Sequence, residues 1–306
     1  MADKTTAKAN GRIGLLGNPS DIYGGKVISF TFSNHACACV ENTDEFCISG
    51  NGHVEKTLEY NGKNDLIKAA IKMLGIQNKS MRVSYSSNIP VGAGLAGSSA
   101  IIIATMKALN EHYSLGLDPV QIAELALHAE VDELKWAAGP QDRYVISLGG
   151  MVFMDFTGKE YLRMTDPAGK WKRLNVNNFP FFLCLSTYPK TSAAVHNPLR
   201  SRFLRGEYQI KERMDEIAAL AEQGVAPLEA GDWKKTGELM NQNTLLREAL
   251  SPHLSVDLKI IKQALEYGAI GAKVAGSGGA VIVLGDDSVM QKMMAHYPCM
   301  KPEMVL

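Results

Sequence analysis

Three stretches of the chain combine residue types that could do chemistry. Residues 90–100 read Pro-Val-Gly-Ala-Gly-Leu-Ala-Gly-Ser-Ser-Ala, with glycines at 92, 94 and 97 and hydroxyls at Ser98 and Ser99. Glycines allow positive φ and close approach of a ligand to the backbone, and a helix starting at the serines would offer free N–H groups to an anion. Glu130 has Ala126, Leu127 and Leu134 as neighbours at helical spacing, so its carboxylate lies on or beside an apolar stripe. A carboxylate there needs a partner, either a salt bridge at the edge of the core or a metal ion. Asp142 follows in Gly139-Pro140-Gln141-Asp142-Arg143, read as a loop, where it is either a solvated turn residue or a base.

The glycine loop spells G-x-G-x-x-G over residues 92–97, the pattern of dinucleotide sites. That motif calls for a second strand ending in an acidic residue about 20 positions on, whereas Asp118-Pro119 opens another helix, so the dehydrogenase reading fails. A Walker A reading fails as well, because no lysine follows Gly97. What remains is a nucleotide held by backbone N–H groups and a magnesium ion, with Ser99 able to meet the metal. The plain alternative is a tight strand-to-helix connection without ligand.

The elements that would position these residues are read from periodicity and turn signals. A polar arm precedes a short strand at Ile13, Leu15 and Leu16 and a turn cluster over residues 17–25. Residues 27–40 and 46–60 suit an antiparallel meander, 65–74 a short amphipathic helix, and 81–89 a strand. Residues 98–113 are apolar nearly all round, which predicts a buried helix. Residues 119–137 form a second helix, with Asp118 as N-cap and Gly139-Pro140 closing it. Residues 145–156 read as a strand pair turning at Gly149-Gly150, and the polar run 157–178 carries the domain boundary, giving domains over 1–175 and 176–306. In the second, 179–186 is a strand, and 198–223, 232–250 and 256–267 are helices, with a break over 224–227. Residues 273–284 form a strand interrupted by Gly276-Ser277-Gly278-Gly279.

Composition narrows the partners. The 306 residues are 46% apolar and 21% charged, with 32 basic and 32 acidic side chains and a formal net charge of zero. No general field draws nucleic acid or an anionic membrane. The five cysteines form no CxxC and no metal spacing with the seven histidines, and read as reduced thiols. No signal-like N-terminus and no membrane-length apolar run is visible, so a cytoplasmic protein is expected.

Taken together, three separated motifs resemble one family, the GHMP kinases. An N-terminal GR loop (residues 11–25), the phosphate loop (90–100) and a late glycine-rich strand (273–280) occur in the family's order, and GNPSDIYGGK, GLAGSSA, AGPQDRYV, GGMVFMDF and VAGSGGAVIVL are most similar to its glucuronokinase branch. The resemblance implies an α+β fold of two domains, a ribosomal-protein-S5-like N-terminal domain and a ferredoxin-like C-terminal one, with the active site in the cleft. It implies an ATP- and Mg²⁺-dependent kinase acting on the anomeric hydroxyl of a sugar or sugar acid. The alternatives are a heptose phosphate or mevalonate-like kinase, or a ligand-binding paralogue without catalysis. By position it makes Asp142 the catalytic base with Arg12 beside it. ATP would be bound by Pro90, Gly92, Gly94, Leu95, Ala96, Gly97, Ser98 and Ser99, and Mg²⁺ by Ser99 and Glu130. The substrate would be met by Asp21, Tyr23, Gly276, Ser277, Gly278 and Gly279. Asn18-Pro19 stands where galactokinase-type loops carry Glu-His, which speaks against galactose. One or two of Lys190, His196, Arg200, Arg202 and Arg205 could pair with a sugar carboxylate, against the plainer reading of a solvated basic helix face.

Overall fold

A computed structural model describes residues 3–186, 199–250 and 255–305; Lys190, His196 and the Ser251-Pro252 break lie outside them. The first sheet is built on one long strand, β2 (Lys26–Asn42). Along one side β2 pairs antiparallel with β1 (Lys4–Leu16); on the other it pairs with β5 (Met81–Ser87) through residues 36–42 and with β6 (Met151–Asp155) through residues 26–30. β3 (Cys47–Gly50) and β4 (His53–Glu55) extend the sheet beyond β5, and β7 (Lys170–Arg173) extends it beyond β6. β3 runs parallel to β5, so residues 46–60 are not a simple meander. The expected polar arm is strand from Lys4 onward, because β2 is long enough to satisfy its backbone groups.

Helix α2 (Gly97–His112) packs on β1 and β2 and buries Ile102, Ile103, Ala104, Met106 and Leu109, as its sequence predicts. Helix α1 (Asp65–Met73) lies against it. Helix α3 (Pro119–His128) starts in a full capping box, with Asp118 accepting from Val120 and Gln121 and the Gln121 side chain accepting from the Asp118 N–H. It ends earlier than its pattern suggested, passing into one π turn, Ala129–Glu133.

The region after it differs from the expectation. Residues 145–148 are not strand: Pro140–Leu148 is helix α4, packed on α3 and α2, and only Met151–Asp155 is extended. Gly139-Pro140 therefore opens a helix instead of closing one, since proline at the first helical position lacks only an N–H that would be free anyway.

A second, four-stranded antiparallel sheet has the order β11 (Cys299–Met300), β8 (Phe181–Leu185), β10 (Ala280–Leu284), β9 (Gly271–Val274). Apart from Lys273, its strands are apolar on both faces because both are covered. Phe182, Cys184, Val281 and Val283 meet α7 (Ser255–Glu266) and α8 (Asp287–Met294), while Phe181, Leu183, Ile282 and Leu284 join the main core. Helices α5 (Tyr208–Ala230) and α6 (Trp233–Glu248) pack on each other, α5 against β2 and α6 against β9. The predicted break over 224–227 is absent. Gly224 lies where a Cβ would come within 2.2 Å of Leu16, so it serves close helix-to-sheet packing, and Pro227 is carried near the helix end.

Residues near 304 return to the first sheet. Met304 bridges Phe32, and Val305 exchanges hydrogen bonds with Thr31. The described cysteines are free thiols, with Cys184 and Cys299 facing each other at 3.2 Å between sulfurs. No described helix is long and apolar enough to cross a membrane.

Candidate active site

β1 supports the site. Its Arg12 N–H donates to the Leu95 carbonyl at 3.1 Å and its Gly14 N–H to the Ala275 carbonyl at 2.8 Å. The glycine loop before α2 and the glycine turn between β9 and β10 therefore flank one strand. They also touch each other: a Cβ on Gly276 would fall 2.2 Å from the Gly94 carbonyl oxygen and 2.8 Å from Arg12 Nη1. Gly94 has φ +68 and would place a Cβ 2.6 Å from the Gly278 carbonyl, so glycine is required there by conformation and by space.

At the start of α2, Ala96 is left-handed with φ 61, and no side chain caps the helix. Ser99 is 3% exposed, whereas Ser98 is open to solvent. First-turn N–H groups without a side-chain cap, behind a glycine loop, could receive an anion.

Beside this loop the side chain of Arg12, 6% exposed, grips Asp142 with two parallel hydrogen bonds, Nε to Oδ1 at 2.7 Å and Nη2 to Oδ2 at 2.5 Å. Its third nitrogen, Nη1, donates to the Gly94 carbonyl at 2.8 Å. The fork fixes the carboxylate plane. Asp142 lies in the first turn of α4, not in a loop, so the helix sets its backbone. Burial alone would raise its carboxyl, but the charges of Arg12 and Arg143, with hydrogen bonds from Arg12 and Gln141, hold it below the ordinary value.

Glu130, in the π turn, is 4% exposed and receives both Nε and Nη2 of Arg143, the former at 3.1 Å. Arg143 Nη1 closes on the Gly139 carbonyl at 2.8 Å. Of the two readings open in the sequence, the salt bridge is present. Among the described residues no group of three or more His, Cys, Asp or Glu could hold a metal by itself.

Asp21, in the 3₁₀ turn Ser20–Tyr23, approaches the start of α4: the Gln141 N–H donates to its Oδ2 at 3.3 Å. Burial, then the neighbouring charge of Asp142, raises its carboxyl to about 6. The native state thus keeps a proton that the unfolded chain releases near 3.8, so stability falls as pH rises through that window. From pH 4 to pH 7 the loss from this residue is roughly 2 kcal/mol. Asp21→Asn, which mimics the protonated form, should flatten that slope and stabilise the ligand-free protein at pH 7; urea unfolding at pH 4, 5, 6 and 7 measures it.

Three further groups at the site were not singled out in the sequence. Lys273 is 1% exposed and donates to the Gly14 carbonyl, Asn18 Oδ1 and the Val274 carbonyl at 3.2, 2.7 and 3.1 Å. Burial, with the charges of Arg247 and Arg12 added, drives its amine well below the ordinary value. Arg247, on α6, donates to the Gly276 carbonyl at 2.7 Å. Arg143 is the partner that Glu130 needed. A signal existed only for Lys273, which interrupts the apolar run before the glycine turn. Of the basic cluster, Arg202 and Arg205 pair with Glu207, whereas Arg200 turns inward to the Ile22 carbonyl.

Comparison with known proteins gives two domain matches, to the GHMP kinases N terminal domain over residues 65–150 and to GHMP kinases C terminal over residues 217–296. The chain is 34% identical to probable glucuronokinase 2 of Arabidopsis thaliana, covering 95% of this chain and 87% of the relative. It is 31% identical to glucuronokinase 1 of the same plant, with the same coverage. The crystal structure of Lactococcus lactis galactokinase complexed with galactose superposes with a TM-score of 0.82 at 15% identity, covering 99% of this chain and 94% of that one.

Proposed function

The chain belongs to the GHMP kinases, and on that premise we propose that it transfers the γ-phosphoryl group of ATP to the anomeric hydroxyl of a sugar acid of the glucuronate type. The observation that carries the reading is the Arg12 fork on Asp142, held through Gly94 to the loop in front of α2.

In this reading Asp142 Oδ accepts the proton of the acceptor hydroxyl as its oxygen bonds to phosphorus and the bond to the leaving ADP breaks. A carboxyl kept below its ordinary value is a weak base, which suits a loose transition state in which the proton is lost late. Arg12 supplies positive charge next to the reacting oxygens and keeps the carboxylate in one orientation. The N–H groups at the start of α2 bind phosphate oxygens, and Asp21 meets a sugar hydroxyl.

Ser99 and Glu130 offer the hard oxygen donors that suit Mg²⁺. Arg143 uses about two of the four acceptor positions of Glu130, and the remaining ones could hold such an ion together with Ser99. When bound, the ion would offset phosphate charge.

The test is ADP release on a panel of glucuronate, galactose, heptose 7-phosphate and mevalonate with ATP and Mg²⁺. Glucuronate should exceed the others in kcat/KM by roughly 10²-fold or more, the discrimination expected where a polar group of the site is left without its partner. Preference for a neutral sugar would overturn the substrate class.

A further inference from the structure

Three side chains near the 3₁₀ turn are not used in this chemistry. Tyr23 is 4% exposed, its ring stands edge-on to Phe203 at 4.8 Å, and its hydroxyl has no hydrogen-bond partner among the described residues. A buried phenol normally finds one. Two guanidinium groups lie around it. Arg200 sits 5.9 Å from the centroid of the Tyr23 ring and 5.5 Å from that of Phe203, with Nη1 on the Ile22 carbonyl. Arg247 is 3% exposed and reaches across to the Gly276 carbonyl.

Among the described residues neither guanidinium has a carboxylate within ion-pair distance, in contrast to Arg12, Arg143 and Arg202. Each carries five N–H donors, of which the carbonyl contact just described uses one. Burial lowers both, Arg247 to about 10, with Asp257 opposing the fall and Arg12 adding to it. Both charges also act on the Tyr23 hydroxyl, against the rise that burial imposes. A buried cation and a half-buried one beside an unsatisfied hydroxyl call for an anion from outside the chain.

The position says which anion. Tyr23 is two residues from Asp21, which lies against Gln141 next to the Asp142 carboxylate, and Arg247 holds the same glycine turn that touches Arg12. The anion therefore belongs to the acceptor, close to its reacting hydroxyl. We propose that Arg200, Arg247 and the Tyr23 hydroxyl form a carboxylate subsite that reads the acid group of the acceptor sugar, while Asp21 takes one of its hydroxyls. A guanidinium fork matches a planar carboxylate, and the phenol adds a donor. This rests on the sugar-acid kinase reading above and adds the residues that make the choice.

The experiment compares glucuronate with glucuronamide, in which a neutral amide replaces the carboxylate. Arg247→Met and Arg200→Met should each raise the KM for glucuronate by at least about 30-fold, as for truncating one partner of a buried charge pair, with kcat changed far less and ADP affinity kept. Tyr23→Phe removes one oxygen without altering the packing and should raise KM several-fold. In all three the preference for glucuronate over glucuronamide should shrink. An equal fall in kcat for both substrates would overturn the subsite, assigning the arginines to the phosphoryl group. Unchanged preference in folded variants would overturn it too, with the kinase reading intact if wild type still prefers glucuronate. A wild type that ignores glucuronate and phosphorylates a neutral sugar overturns both. Loss of a heptose 7-phosphate activity in the variants would mean that the subsite reads phosphate, against the carboxylate assignment.

Discussion

Asp142→Asn is expected to lower kcat by about 10²- to 10⁴-fold while ADP binding changes little. The amide cannot take the hydroxyl proton, and it also disturbs the clamp. Arg12 presents N–H donors to both oxygens of Asp142, so an Asn side chain must turn its own NH₂ toward one of them. On the proposed reading nucleotide affinity should survive, because the glycine loop and the first turn of α2 would bind through main-chain groups that this change does not touch. Single-turnover phosphoryl transfer beside ADP titration separates the two effects. Turnover within a few-fold of wild type would remove Asp142 from the role of base.

The second large effect is expected from a change of one methyl group. In Gly276→Ala the new Cβ would lie 2.2 Å from the Gly94 carbonyl and 2.8 Å from Arg12 Nη1. Neither neighbour can yield alone, since Arg12 Nη1 is bonded to that carbonyl and its other nitrogens hold Asp142. Relief requires the glycine turn to back away from the glycine loop before α2, and displacing reacting groups by about 1 Å can cost roughly 10²-fold in rate. Gly285→Ala is the matched control, because its Cβ would make ordinary contact at 3.5 Å with Val289. A fall of about 10²-fold in kcat/KM for the first and near wild-type activity for the second is the expected pair. Full activity in Gly276→Ala would show that the two loops need not touch.

Much of this was legible in the residues. The buried α2 and the strand before it follow from local periodicity, and Asp118-Pro119 marked the start of α3 through its cap. The site was legible where motif and family order coincided, which brought Arg12, Asp21 and Asp142 forward together. What stayed hidden depended on tertiary neighbours. α4 has a weak apolar face that reads equally well as strand, and contact with α3 and α2 decides it. Gly224 looks like a breaker until Leu16 is seen against it. Arg143, Arg247 and Lys273 come from three distant parts of the chain, and no spacing rule links a basic residue to a carboxylate or carbonyl that folding alone brings near.

β1 carries a further consequence through its two backbone contacts, at Arg12 and at Gly14. Loops that grip opposite ends of a reacting pair often sit on separate jaws, and closing the jaws brings the reactants together. Here both loops are hydrogen-bonded to a single strand at positions two residues apart, which ties their placement to one element. On the reading proposed above, the alignment of phosphoryl donor and acceptor would then be set largely by β1, and not by closure of one loop on the other.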